Sequence, residues 1–177
     1  MRITRGDFLF VGVDCGLKGA VTFYDPDDKI DGLQIFDMPI KPSYSKNKKT
    51  IDGVRLSKIF DYFHPFIYHP IYFEQPHALP RDGAAGAFSF GEGVGIVKGV
   101  IESLGLHYIP IVPAVWKARM GLTKDKKESV EMAKHIFSLH KNANDILLKS
   151  KDGRAESALL AFLACQTFGK GVHNEKS

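Results

Sequence analysis

Phe8-Leu-Phe-Val-Gly-Val-Asp14 is an unbroken apolar run closed by a carboxylate. A short run with no polar alternation describes a strand covered on both faces, and such strands belong to sheets with helices on either side. A turn at residues 16–19 then leads to Ala20-Val-Thr-Phe-Tyr24, a second strand stopped by Asp25-Pro26-Asp27-Asp28. Residues 32–38 supply a third, so the chain opens as an antiparallel meander. Residues 41–50 are polar, lysine-rich and aperiodic, which reads as a mobile basic loop. Val54, Leu56, Ile59, Phe60 and Phe63 follow a helical rhythm within residues 51–63. Ile71-Tyr-Phe-Glu74 is another short strand ending in an acid, and residues 75–86 read as loop. Phe90, Val94, Val97, Ile101 and Leu104 recur at steps of four and three, the spacing of one helix face. Residues 107–112 make a fifth strand, and Pro113 suits the start of a short helix. Residues 125–139 are amphipathic, and residues 152–168 form a last, largely apolar helix. The expected fold is α/β: a central mixed five-stranded sheet, antiparallel meander first, flanked by helices in a single domain over residues 1–177.

Composition agrees with one packed domain. In 177 residues, 44% are hydrophobic and 25% charged, enough apolar material for one core and too much for a disordered chain. The longest apolar runs, residues 8–13 and 159–165, are too short to span a bilayer, so no membrane partner is expected. Residues 1–7 lack the features of a signal peptide, and the two lone cysteines, Cys15 and Cys165, form no disulfide framework. A cytoplasmic location is the expectation. The net charge of +4 excludes little by itself, but its distribution is uneven. Residues 114–151 hold nine Lys/Arg and four Asp/Glu, and residues 39–50 hold Lys41, Lys46, Lys48 and Lys49 with no acid. Segregation of this kind suits a polyanionic partner, although solvated helix faces and a basic loop would also produce it.

Four acids stand where an ordinary core would not place them. Asp14 and Glu74 each end an apolar strand, where a carboxylate must be paired, hydrated or bound to a cation. Asp152 and Glu156 open the last helix four residues apart and share a face. Each has a plain structural reading: Asp152 as helix cap, Glu156 paired with Arg154, Asp14 held by amides of the following turn, Glu74 as a strand-end acid. One explanation covers all four together. Hard oxygen ligands from two strands and a helix suit Mg²⁺, with Mn²⁺ as substitute. Two such ions roughly 3.5–4 Å apart serve phosphodiester hydrolysis.

These residues also carry a resemblance. Val11-Gly-Val-Asp14-Cys-Gly16, Phe73-Glu74-Gln75, Val112-Pro-Ala-Val-Trp-Lys117, Met120-Gly121, residues 124–130 and Asp152-Gly-Arg-Ala-Glu156-Ser-Ala-Leu-Leu160 resemble, in order, the RuvC-like Holliday junction resolvases. Those enzymes belong to the ribonuclease H-like superfamily, and this chain looks most like their bacteriophage branch. The likeness runs from about residue 8 to residue 169. It implies a ribonuclease H-like fold and a Mg²⁺-dependent endonuclease that resolves four-way junctions as a homodimer. By resemblance, Asp14, Glu74, Asp152 and Glu156 are the catalytic metal ligands. Lys127 matches a lysine beside the scissile phosphate, there to stabilise developing charge, and Lys117 a basic position near the junction. The chain departs from the bacterial members in two places. Its final acids are four apart where three is usual, and Pro76-His77 stands where they carry an aromatic wedge.

Lysines Lys46, Lys48, Lys49, Lys124 and Lys126, with His77 and Arg81, are further DNA-contact candidates, as is Lys98. Trp116, Phe88 and Phe90 read as core or interface residues. Gly91, Gly93, Gly95 and Gly99 permit close approach of a partner subunit or of the sheet. Residues 91–95 lack the spacing of a dinucleotide loop, and no nucleotide cofactor is expected. Three other functions remain open from sequence: a broader nuclease cutting Y-forks or flaps, a junction-binding protein weak in catalysis, and an ATPase of the actin and sugar-kinase type. The last needs two lobes around a nucleotide, for which 177 residues are few.

Overall fold

The computed structural model describes residues 8–44, 48–75, 83–141, 143 and 152–169. Its elements are β1 (Phe10–Val13), β2 (Ala20–Tyr24), β3 (Leu33–Asp37), β4 (Ile40–Pro42), β5 (Lys49–Ile51), α1 (Gly53–Phe63) and β6 (Ile71–Glu74). After these come α2 (Gly83–Ser103), β7 (Tyr108–Ile111), α3 (Pro113–Arg119), α4 (Lys126–Ile136) and α5 (Asp152–Phe168). The main sheet has five strands in the order β3-β2-β1-β6-β7. The β1–β2 and β2–β3 pairs are antiparallel, and the β1–β6 and β6–β7 pairs are parallel. This is the mixed sheet with a leading meander that the apolar runs imply.

Every residue of β1 is buried because both faces of the sheet are covered. Phe10 packs with Trp116, Phe137 and Leu159 on one side, under α3, α4 and α5. Val11 and Val13 pack with Phe60, Val97 and Ile101 on the other, under α1 and α2. The period-2 alternation of the strand thus sorts its residues between two cores. Leu159 and Leu160 are fully buried, each contributing about 2 kcal/mol.

Helix α5 lies against the sheet backbone. A Cβ on Gly12 would run into the Ser157 carbonyl oxygen and the Ala161 amide, so only glycine permits this approach. A buried hydrogen bond between Thr22 Oγ1 and Ser157 Oγ, 2.8 Å, ties the same turn of α5 to β2.

The described residues of the expected 41–50 loop differ from it. Ile40–Pro42 and Lys49–Ile51 pair antiparallel as a two-stranded ribbon, with Lys41 opposite Thr50. Ile51 is fully buried and its side chain lies beneath Gly93 of α2, which anchors the ribbon. Three-residue strands carry no readable period, which hid the pairing. Helix α2 begins at Gly83, inside the segment read as loop. It is 21 residues long and apolar enough in length and composition to match a bilayer, a property that counting unbroken apolar runs missed. Its Gly93, Val97, Val100 and Ile101 are buried in the core.

Replacing Gly12 with Ala would force α5 off the sheet. We expect a loss of about 3 kcal/mol in urea unfolding, the upper range for overpacking. An unchanged midpoint would show that α5 does not rest on β1 as described.

Candidate metal centre

Strand parity aims the two sheet carboxylates. Asp14 follows β1 in phase with Phe10 and Gly12, on the α5 side. Glu74 ends β6 in phase with Tyr72, which lies in the same core as α5. Because β1 and β6 are parallel with Val13 opposite Phe73, Asp14 and Glu74 come next to each other at one end of the sheet.

The first turn of α5 closes over them. A Cβ on Gly153 would lie 2.5 Å from the Lys18 carbonyl oxygen and 2.8 Å from Asp14 Oδ2, so glycine is required here as well. One turn further on, Glu156 is buried. One carboxylate oxygen from each of Asp14, Glu74 and Glu156 lies within 4.8 Å of the others. A cleft of about 550 Å³ opens above this trio, with Lys18, Lys117, Lys126 and Asp152 also on its walls.

Each acid has a partner. The Gly16 amide donates to Asp14 Oδ1 at 3.0 Å, the turn contact anticipated from sequence. The Trp116 indole donates to Glu74 Oε1 at 2.8 Å. Lys117 Nζ donates to Glu156 Oε1 at 2.6 Å, whereas Arg154, the partner anticipated for Glu156, bonds Asp37 at the end of β3 instead. Asp152 pairs with Lys126 at the rim and stands outside the trio.

Burial and mutual repulsion make Asp14 and Glu74 hard to ionise together. Burial raises Asp14 to about 6, with the Gly16 amide opposing and the charges of Glu156 and Asp152 adding. Burial likewise raises Glu74 to about 7, reinforced by Asp14 and Glu156 and opposed by the Trp116 hydrogen bond. Burial also disfavours the Asp152 anion, but the Lys126 ammonium outweighs it and holds that carboxyl below its ordinary range. Crowded carboxylates resisting ionisation are a donor set that a hard divalent cation would satisfy.

The other predicted residues that the structure describes fall in four places. Lys117 and Lys126 line the cleft. Lys124 and Lys127 are exposed nearby in sequence, and Lys127 is not among the cleft-lining residues. Lys48 and Lys49 are exposed on the β4–β5 ribbon. Lys98 Nζ stacks over the rings of Phe73 and Tyr108, at 5.7 and 5.8 Å. Lys46, His77 and Arg81 lie outside the described residues. Sequence reasoning missed Lys18 and the polar role of Trp116. The turn of residues 16–19 marked the first, but nothing in the sequence marked the second.

No protein-family model matches the chain, and no curated protein matches it in sequence. Solved structures do. Thermus thermophilus RuvC superposes with a TM-score of 0.56 at 15% identity, covering 92% of this chain and 97% of that one. The same protein in complex with a Holliday junction substrate gives 0.55, again at 15% identity, with 92% and 96% covered. The fold is that of RuvC. In this fold the sheet carries the carboxylate trio at the end where β1 and β6 both terminate.

The raised acids also set a pH dependence. Asp14 and Glu74 hold protons up to about 6 and about 7 in the folded chain, whereas unfolded carboxyls titrate near 4. The folded state thus binds more protons across that window, and metal-free stability falls as pH rises through it. In EDTA, the melting temperature should drop between pH 5 and pH 8, less steeply in Asp14→Asn. Mg²⁺ should restore it at pH 8 and do little at pH 5. Identical slopes for wild type and Asp14→Asn would contradict the assignment.

Proposed function

We propose that the protein is a divalent-metal-dependent endonuclease that nicks branched DNA, four-way junctions foremost, and works as a homodimer. The observation that carries this reading is the meeting of Asp14, Glu74 and Glu156 within 4.8 Å in an open, lysine-rimmed cleft. The fold adds support, since a solved structure of this fold is T. thermophilus RuvC in complex with a Holliday junction substrate.

In this reading the trio holds Mg²⁺ or Mn²⁺, with Asp152 beside it at the rim. Such cations, when bound, supply Lewis-acid polarisation of the phosphodiester and activation of water. The chain's own groups bind and orient the DNA. Lys126 at the cleft and Lys127 next to it meet the phosphate that gains charge during cleavage. Lys117 holds Glu156 turned inward through its 2.6 Å contact to Oε1. Lys48 and Lys49 reach neighbouring phosphates from the ribbon. Asp37, the last residue of β3, pairs with Ala20 near Asp14, so the ribbon that follows starts from the same end of the sheet as the cleft.

A dimer suits a two-fold junction, which needs two active sites. Gly91, Gly95 and Gly99 lie one helical turn apart on the exposed face of α2, with nothing within 4 Å of their Cβ positions. Phe88, 77% exposed, lies on the same helix. That face is the proposed contact with the second copy.

A synthetic four-way junction in Mg²⁺ provides the test. Wild type should nick it, while Asp14→Asn should bind it and cut on the order of a hundredfold more slowly or worse. Equal cutting by both proteins would remove the metal centre from the reaction. Equal cutting of flap, three-way and linear DNA would replace the junction specificity with a broader nuclease. Replacing Lys48 and Lys49 with Ala should reduce the slope of log affinity against log salt by about two, and an unchanged slope would exclude the ribbon from phosphate contact.

A further inference from the structure

Two consecutive residues of α3 hold two acids from different parts of the fold. Trp116 donates to Glu74 on β6 at 2.8 Å, and Lys117 donates to Glu156 on α5 at 2.6 Å. The two also touch each other, with Lys117 Nζ 5.3 Å from the centre of the indole ring. Helix α3 starts at Pro113, just after β7, and β7 pairs with β6 so that Ile111 stands opposite Glu74. The bracket is therefore mounted on the strand next to the acid it holds. Trp116 is fully buried and its ring cannot swing away without opening the core.

A buried indole N–H needs an acceptor, and a neutral carbonyl would meet that need. Here the acceptor is instead a carboxylate at the edge of a metal-binding trio. Groups that hold a metal ligand from behind orient it and restrict its rotamers.

We propose that Trp116 is a positioning residue that holds Glu74 in a metal-ready conformation, acting with Lys117 as a bracket across the centre. This rests on the metal-centre reading above. The bond to Oε1 leaves the second Glu74 oxygen available to a cation and removes the rotamer freedom that binding would otherwise have to restrict. Lys117 does the same for Glu156. The pair thus sets the spacing of two ligands that no backbone connection joins directly.

The test is Mg²⁺ binding by titration calorimetry at neutral pH, for wild type and Trp116→Phe. Phenylalanine keeps an aromatic ring in the core and deletes the N–H. We expect Trp116→Phe to melt in a single cooperative transition and to bind Mg²⁺ about tenfold more weakly. Equal affinities in a folded Trp116→Phe would overturn the positioning role and leave the metal centre standing. No Mg²⁺ binding by wild type would overturn the metal centre and the positioning role together.

A second measurement holds even if Trp116→Phe fails to fold. Trp116 is the sole tryptophan, so its indole N–H gives a single side-chain resonance in a ¹⁵N-correlated spectrum. That resonance should move saturably with Mg²⁺ at the calorimetric affinity, and should not do so in Glu74→Gln. An indole resonance that stays in place while wild type fills with Mg²⁺ would overturn the proposal.

Discussion

Helix α5 rests on the backbone of β1, and the chemistry of the protein depends on that contact. Gly12 lets the middle of the helix reach the strand, and Gly153 lets its first turn reach Asp14 and the turn of residues 16–19. A side chain at either position would lift the helix by the width of a methyl group or more. Glu156 would then stand away from Asp14 and Glu74, and the trio would become separate surface acids. The same contact buries Ala155, Leu159 and Leu160, so the packing that stabilises the domain also assembles the site.

Assembling it creates an electrostatic problem. Three carboxylates share a partly buried cleft, and burial and repulsion push Asp14 and Glu74 toward the protonated form. The protein answers with fixed donors. Trp116, Lys117 and the Gly16 amide each engage one member of the trio, and Lys126 takes Asp152. The Gly16 and Trp116 contacts lower the cost of ionising Asp14 and Glu74 without abolishing it, which leaves a site matched to a cation. Lysines at the rim then give a negative centre inside a positive margin. That arrangement suits a substrate whose phosphates need both metal and ammonium.

Much of this was legible in the sequence because it follows from period and parity. The apolar run before Asp14 and the strand ending in Glu74 each placed an acid at a strand terminus, and parallel pairing of those strands did the rest. The four-residue step from Asp152 to Glu156 put both on one face of a helix, although only Glu156 reaches the trio. The split comes from depth, which spacing alone does not encode: Asp152 stands at the helix mouth and meets Lys126 first. The choice between Lys126 and Lys127 was equally hidden. Asp125 caps α4, and adjacent residues in a first turn differ by about 100° in direction. The Trp116 hydrogen bond was invisible because an apolar position in a short helix says nothing about where an indole N–H points. The β4–β5 ribbon escaped because its strands are three residues each.

In the proposed function, Asp14, Glu74 and Glu156 together hold a divalent cation. Anomalous diffraction from crystals of the protein soaked in Mn²⁺ reads this directly. The expected result is a manganese peak in the cleft with an oxygen of each of the three acids in its coordination shell, absent from Asp14→Asn crystals. Manganese bound elsewhere, with this cleft left empty at saturating concentration, would contradict it.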